Sequence, residues 1–418
     1  METTQKSLRM HIGIVGRTNV GKSSFLNMVV GQDVAITSPI AGTTTDAVEK
    51  TMELLPVGPV VFVDTAGIDD ASLLAEARTN RTRKALTRID AAVLVVEPNI
   101  WTSWEEELIS IAGERHLPVI IAVNKADRCI PDEPFMAKLK AASPHVFRCS
   151  CTDSANRDLY VTLFKNLLAE AAKSYRQEPP LIADLLPAGG LVVLVIPIDL
   201  QAPRGRLIVP QVQTIREALD CDAMALAVKE REYAHALESL GKRPDLVVCD
   251  SQTVLKMVAD TPPGVACTTF SILFARQKGD LQELCRGAAA IARLRGGDRV
   301  LVAEACTHHA LEDDIGRVKI PRWLRQFTGL DLRIDVASGR DFPADLADYR
   351  LIIHCGACMV TRSDMLGRID AARRAGVPIT NYGVCISALQ GVAKRVLSPF
   401  PAALDAYQTQ QSLNETGG

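Results

Sequence analysis

Residues His11 to Ser23 constrain this chain more than any other stretch. An apolar run, His11 to Val15, leads into Gly16-Arg-Thr-Asn-Val-Gly21-Lys22-Ser23, which fits the phosphate-loop pattern G-x-x-x-x-G-K-[ST]. The run reads as a buried strand, and the residues from Lys22 onward read as the start of a helix. The glycines let the backbone fold around phosphate oxygens, and the helix N-terminus adds partial positive charge. Lys22 then reaches the β- and γ-phosphates, and Ser23, with Ser24 beside it, presents a hydroxyl to Mg²⁺. A phosphate loop of this kind commits the surrounding residues to an α/β fold with a mostly parallel sheet.

Further elements follow in the order such a domain requires. Asp64-Thr-Ala-Gly67 ends the apolar run Val60–Val63; Asp64 is placed toward Mg²⁺, and Gly67 can turn its N–H to the γ-phosphate. Asn124-Lys-Ala-Asp127 ends the run Val119–Val123. The Asp127 carboxylate can accept from both guanine N1 and N2 donors, a pair adenine lacks, so this element selects GTP/GDP. Asn124 completes guanine recognition, Lys125 is expected over the ring, and Ser150-Cys151 fits the last guanine loop. Thr44, within Gly42-Thr-Thr-Thr-Asp46, is the expected switch threonine of the Mg²⁺ shell. Lys22, Thr44 and Gly67 are thus the expected catalytic groups. The switch loops are expected at about 33–46 and 67–80. Ile68 stands where a water-orienting Gln would otherwise follow, so slow intrinsic hydrolysis is expected.

This pattern resembles the GTPases related to Era and TrmE. In the TrmE-like group an Asn at the position of Asn19 helps hold K⁺ beside the phosphates, so the resemblance implies K⁺-stimulated hydrolysis.

The chain has 418 residues, enough for two to four domains, and a net charge of −2. That balance gives no basic field for nucleic acid. No apolar run reaches a membrane span, and Met1 to Met10 lack a signal-peptide core, so a cytoplasmic protein is expected. The expected organisation is a GTP-binding domain over 8–175, a linker at Gln177-Glu-Pro-Pro180, a small α/β dimerisation domain over 181–264 and a doubly wound α/β domain over 265–400. Two strand–helix units are expected in the middle segment, and a boundary at Thr261-Pro-Pro-Gly264. The polar tail after Pro401 is expected to fray.

The chain has 11 cysteines without disulfide spacing. Cys306-Thr-His308 follows the strand-like run Arg299–Ala303, and His354-Cys355-Gly-Ala-Cys358 follows Arg350–Ile353. Ligands gather at such strand ends in open α/β sheets. Three readings compete: zinc in a Cys₃His site with His308 or His354, a [4Fe–4S] cluster on Cys306, Cys355 and Cys358, or a redox dithiol. Cys149-Ser-Cys151 is assigned no redox role, and Cys385 is expected to pack within a helix.

Cys306-x-His308 and His354-Cys355-x-x-Cys358 are separated by 45 residues and lie downstream of a TrmE-like GTPase domain. That combination resembles the HydF family of [FeFe]-hydrogenase maturation GTPases over nearly the whole chain. The resemblance implies that Cys306, Cys355 and Cys358 hold the [4Fe–4S] cluster. It leaves His308 and His354 open between ligand, proton relay and outer shell, with Glu304 as an exchangeable oxygen ligand. It also implies a homodimeric scaffold that receives a diiron precursor from radical-SAM maturases and passes it to apo-hydrogenase. An RNA-directed GTPase with a structural zinc domain is the rival reading.

Overall fold

The computed structural model describes residues 9–31, 49–64, 82–83, 85–175, 179–197, 207–305, 314–339, 343, 345–358 and 360–416. Thr44, Gly67, Cys306, His308 and both expected switch loops lie outside the described residues. The chain divides into two compact units, Met1–Glu178 and Pro179–Gly418.

The first unit is built on a six-stranded sheet of order β2-β3-β1-β4-β5-β6. Its strands are β1 (Met10–Val15), β2 (Glu49–Leu54), β3 (Gly58–Asp64), β4 (Ala91–Val96), β5 (Val119–Val123) and β6 (His145–Arg148). All neighbours run parallel except β2 against β3. Ala91-Ala-Val-Leu-Val-Val96 is buried at every position, which explains its unbroken apolar sequence: both faces of a parallel sheet are covered. Helices α1 (Lys22–Val30) and α4 (Arg157–Tyr175) cover one face; α2 (Ser103–Glu114) and α3 (Glu133–Ala142) cover the other. Phe25 meets Phe164 edge-on at 5.4 Å in the first layer.

The second unit holds two four-stranded parallel sheets. The first has the order β10-β9-β7-β8, from β7 (Leu191–Val195), β8 (Met224–Val228), β9 (Leu246–Cys249) and β10 (Ala266–Thr269). Its helices are α5 (Val209–Asp220), α6 (Tyr233–Ser239), α7 (Val254–Asp260) and α8 (Phe270–Lys278). The second has the order β12-β11-β13-β14, from β11 (Arg299–Glu304), β12 (Arg333–Ser338), β13 (Leu351–His354) and β14 (Ile379–Asn381). With it go α9 (Leu281–Ala289), α10 (Ile320–Thr328), α11 (Arg362–Arg374), α12 (Tyr382–Leu389), α13 (Ala393–Val396) and α14 (Pro401–Thr416). One continuous apolar core runs through both sheets, from Leu181 to Tyr407.

Three expectations change here. The middle sheet has four strands, not two. Its edge strand β8 has only exposed and half-buried residues and so lacks a buried-strand signature. The boundary expected after Gly264 is a turn within the sheet: Val265 donates to the Pro262 carbonyl at 3.2 Å, and β10 then pairs with β9. The tail expected to fray is helix α14. It buries Ala403, Ala406 and Tyr407, and the Asn414 amide donates to the Ala289 carbonyl at 2.8 Å. Small residues at helical spacing form its packing face, a pattern that average polarity conceals. No helix among the described residues is long and apolar enough to cross a membrane.

Candidate functional sites

The phosphate loop leaves β1 and turns on two glycines with positive φ, 152° at Gly16 and 98° at Gly21. A Cβ on Gly21 would lie 2.3 Å from Asn124 Nδ2, and one on Gly16 would lie 2.5 Å from the Val95 carbonyl oxygen. Sterics therefore fix both glycines, apart from any ligand. Asn19 is also left-handed, with φ 67°. Helix α1 starts at Lys22 with no side-chain cap and no acidic residue in its first turn. Its first amides and partial positive charge are therefore not spent on a local carboxylate. Lys22 Nζ donates to the carbonyls of Gly16 at 2.6 Å and Arg17 at 2.9 Å. Ser23 and Ser24 are exposed on the first turn. Asp64 ends β3, next to β1.

The guanine loops are stapled to the phosphate loop. Asn124 is buried; its Nδ2 donates to the Val20 carbonyl at 2.8 Å, and its Oδ1 accepts from Cys151 N at 3.1 Å. One amide thus joins the phosphate loop, the end of β5 and the Ser150-Cys151 loop. Lys125 sends Nζ to the Asn19 carbonyl at 2.7 Å and pairs with Glu97. Asp127 is exposed beyond it. Ser150 is buried, its hydroxyl 3.1 Å from that of Thr152.

Sequence reasoning missed an anchor here. Arg17 Nε lies 2.8 Å from Oε1 of Glu105, a carboxylate only 1% exposed. Oε2 of Glu105 accepts from Thr102 N at 2.7 Å and Thr102 Oγ1 at 2.6 Å, which caps α2. The capping box Thr102-Ser-Trp-Glu105 is readable from spacing. Nothing local tells that the second oxygen holds the phosphate loop.

In the second unit, the register of β11 with β13 pairs Ala303 with His354. Cys355 N donates to the Ala303 carbonyl at 2.9 Å, and Cys355 Sγ accepts from Ala305 N at 3.3 Å. The chain leading to Cys306 therefore leaves β11 against Cys355. Ala357 takes a left-handed conformation, φ 56°, between Cys355 and Cys358, and both cysteines are half-buried. Burial pushes the Cys358 thiol up, while Lys278 and the residue's own backbone N–H hold it down. Neither cysteine is in a disulfide, and Cys385 is buried in α12. Among the described residues no group of three or more His, Cys, Asp or Glu converges on a metal-sized site.

His354 is fully buried. Arg368 Nη1 lies 3.0 Å from His354 Nε2, and the Cys355 carbonyl lies 2.8 Å from Nδ1. A guanidinium can only donate, so Nε2 accepts and Nδ1 carries the proton. Burial, with Arg368 second, pushes this imidazole down to about 3. With both nitrogens engaged, His354 orients the Cys355 backbone. Glu304 is likewise engaged: its Oε2 accepts from Arg317 Nη2 at 3.0 Å and Ser338 Oγ at 2.9 Å. Gly316 permits this, since a Cβ there would lie 2.0 Å from the Tyr382 hydroxyl and 2.9 Å from Glu304 Oε1.

Three family models match the chain. Residues 11–125 match the 50S ribosome-binding GTPase model. Residues 181–279 match the hydrogen maturase F dimerization domain, and residues 282–399 match the hydrogen maturase F tetramerization domain. GTPase Der of Wolinella succinogenes is 35% identical over 130 residues, which are 30% of this chain and 27% of that protein. GTPase Era of Glaesserella parasuis is 31% identical over 176 residues, 41% of this chain and 58% of that protein. The chain thus spans about a quarter to somewhat over half of the length of these relatives. A solved structure of Era with MgGDPNP and nucleotides of 16S ribosomal RNA is 24% identical, covers 38% of this chain and 56% of that one, and has a TM-score of 0.30. The two hydrogen maturase domains together span residues 181–399 apart from two positions, more than half of the 418. The likeness to Der and Era belongs to the GTPase domain, and the remainder of the chain follows a different line. The chain belongs to the hydrogen maturase F family.

Proposed function

We propose that this chain is a GTP-hydrolysing iron–sulfur scaffold, which carries the diiron precursor of the [FeFe]-hydrogenase active site and transfers it to the apo-enzyme. The observation that carries the reading is the Cys355-x-x-Cys358 loop at the end of β13, hydrogen-bonded to the residue before Cys306, within hydrogen maturase domains. The donor set fits a [4Fe–4S] cluster. Two soft thiols come from one tight turn, the third cysteine follows the neighbouring strand, and an amide N–H already points at one sulfur. The engagement of both His354 nitrogens speaks against its serving as the fourth ligand of a zinc site. Such a cluster, held by three cysteines, would keep one iron with an exchangeable position, where a bridging ligand of the cargo can attach.

In the GTPase unit, Gly16, Gly21, Lys22, Ser23 and Ser24 hold the phosphates and Mg²⁺, with Asp64, Thr44 and Gly67 completing the γ-phosphate side. Asn124, Lys125, Asp127, Ser150 and Cys151 form the guanine end. Asn19, whose carbonyl is fixed by Lys125, is the proposed K⁺ residue; equal turnover in K⁺ and Na⁺ would remove that role. The dimerization and tetramerization domains support a self-assembling protein, with apo-hydrogenase and the radical-SAM maturases as partners.

The test is anaerobic reconstitution with iron and sulfide, then metal analysis and EPR of the reduced protein beside Cys306→Ser. About four irons per chain, with a reduced-cluster signal altered in the variant, is the expected result. Stoichiometric zinc without an EPR signal would overturn the scaffold.

A further inference from the structure

Lys278 is the last residue of α8 and is 3% exposed. Its Nζ donates to the Val360 carbonyl at 2.9 Å and lies 3.4 Å from the carbonyl oxygens of Ala357 and Cys358. It also lies 5.4 Å from the centre of the Phe274 ring. The strap is reciprocal: Arg362, which opens α11, donates back to the carbonyls of Gln277 and Gly279, the latter at 3.3 Å. The C-terminal part of the cysteine loop and the start of α11 are therefore tied to the end of a helix about eighty positions earlier in sequence.

Lysine is among the residues least often fully buried. Taking an ammonium out of water costs several kcal/mol before carbonyl dipoles and a ring face offset it. A methionine would occupy similar space without that cost. What the ammonium adds is fixed donors and positive charge beside a loop that carries two thiols. The charge is fixed beside the loop, since Nζ meets the carbonyl oxygens of Ala357, Cys358 and Val360.

We propose that Lys278 is a positioning residue of the cluster site: it clamps the Ala357, Cys358 and Val360 carbonyls onto α8 and supplies a buried counter-charge to the thiolates and to the reduced cluster. The inference rests on the cluster assignment above. It also makes the end of α8, which follows the last strand of the middle sheet, part of the wall of the cysteine site.

The test compares wild type, Lys278→Met and Lys278→Arg as full-length reconstituted proteins. The readouts are the midpoint potential by EPR-monitored titration and the rate of iron loss to a ferrous chelator. The Met variant is expected to show a more negative potential and about tenfold faster iron loss. The Arg variant should return both toward wild type. A packing role alone would lower the melting temperature of the metal-free protein and leave the potential in place, and that result overturns the proposal. Far-UV circular dichroism checks that the Met variant folds. If it does not, Lys278→Gln, which keeps a donor without the charge, is expected to lower the potential, and an unchanged potential overturns the proposal there too. Wild-type protein that takes up no cluster would instead overturn the scaffold reading itself.

Discussion

The phosphate loop and the cysteine loop solve one problem in opposite ways. Each leaves the C-terminal end of a parallel strand, and each contains a left-handed residue that is not glycine, Asn19 and Ala357. In each a lysine ammonium gathers loop carbonyls. Lys22 belongs to its own loop, five and six residues from the carbonyls it bonds, and is half-buried. Lys278 comes from 79 to 82 residues away and is almost wholly buried. A lysine held by neighbours in sequence can exchange carbonyl oxygens for phosphate oxygens without disturbing the fold. One that enters from another element is part of the packing and keeps its place. The difference separates a loop whose lysine can be drawn to a ligand from one whose lysine is fixed by the fold.

Lys22→Ala should show the largest effect. Loss of a preorganised cation at the transferring phosphoryl group is expected to lower GTP turnover by about 10²–10³-fold, with little change in the unfolding midpoint. Phosphate release and thermal unfolding of the same preparation check both halves. A large loss of stability would make this lysine structural and erase the contrast.

Gly287→Ala probes the distant supports of the cysteine loop. Its Cβ would lie 1.9 Å from the Ile379 carbonyl oxygen, in the strand paired with β13. Backbone against backbone cannot yield cheaply, so a loss of about 3 kcal/mol is expected in denaturant unfolding of the second unit. A loss under 0.5 kcal/mol would show that β14 shifts freely.

Glu105→Ala asks whether the phosphate loop also depends on a distant group. The substitution removes the α2 cap and leaves Arg17 without its buried carboxylate. A destabilisation of about 2–3 kcal/mol is expected, with weaker GTP binding by calorimetry. Unchanged nucleotide affinity would confine Glu105 to capping.

The smallest effect concerns pH. His354 takes up its second proton only near pH 3 when folded, against about 6.5 when unfolded. Between these values the unfolded chain binds more protons, so stability falls as pH falls. The loss should approach about 2 kcal/mol by pH 5. Urea unfolding of the metal-free protein at pH 7 and pH 5 reads it, and His354→Gln should flatten the slope. An equal slope in the variant would assign the acid sensitivity elsewhere.

The first unit was largely legible because its chemistry is written in contiguous stretches. Asn124 to Asp127 follow a strand that is apolar throughout, and Gly16 to Ser23 follow one that is mostly so. The Asn124 staple was not legible, since its partners Val20 and Cys151 lie 104 and 27 positions away. In the second unit the position of Cys355 and Cys358 just after a strand was readable from the apolar run before them. Strands β8 and β10 were not: both are edge strands, and β10 also lies beyond a Pro-Pro-Gly turn that resembles a boundary. Helix α14 was hidden because its packing face consists largely of alanines.

The sequence by itself determined the strand-then-loop units, the nucleotide chemistry and the candidate cysteine ligands. These depend on residue type and spacing over a few positions, where covalent geometry fixes what can meet. Only the tertiary structure decided that His354 has both nitrogens engaged, that Glu304 is held by Arg317 and Ser338, and that Lys278 and Arg362 strap the cysteine loop to α8. Those pairings join residues whose separation along the chain carries no information. They arise from sheet register and helix packing, which bring buried polar groups together because each must find a partner away from water.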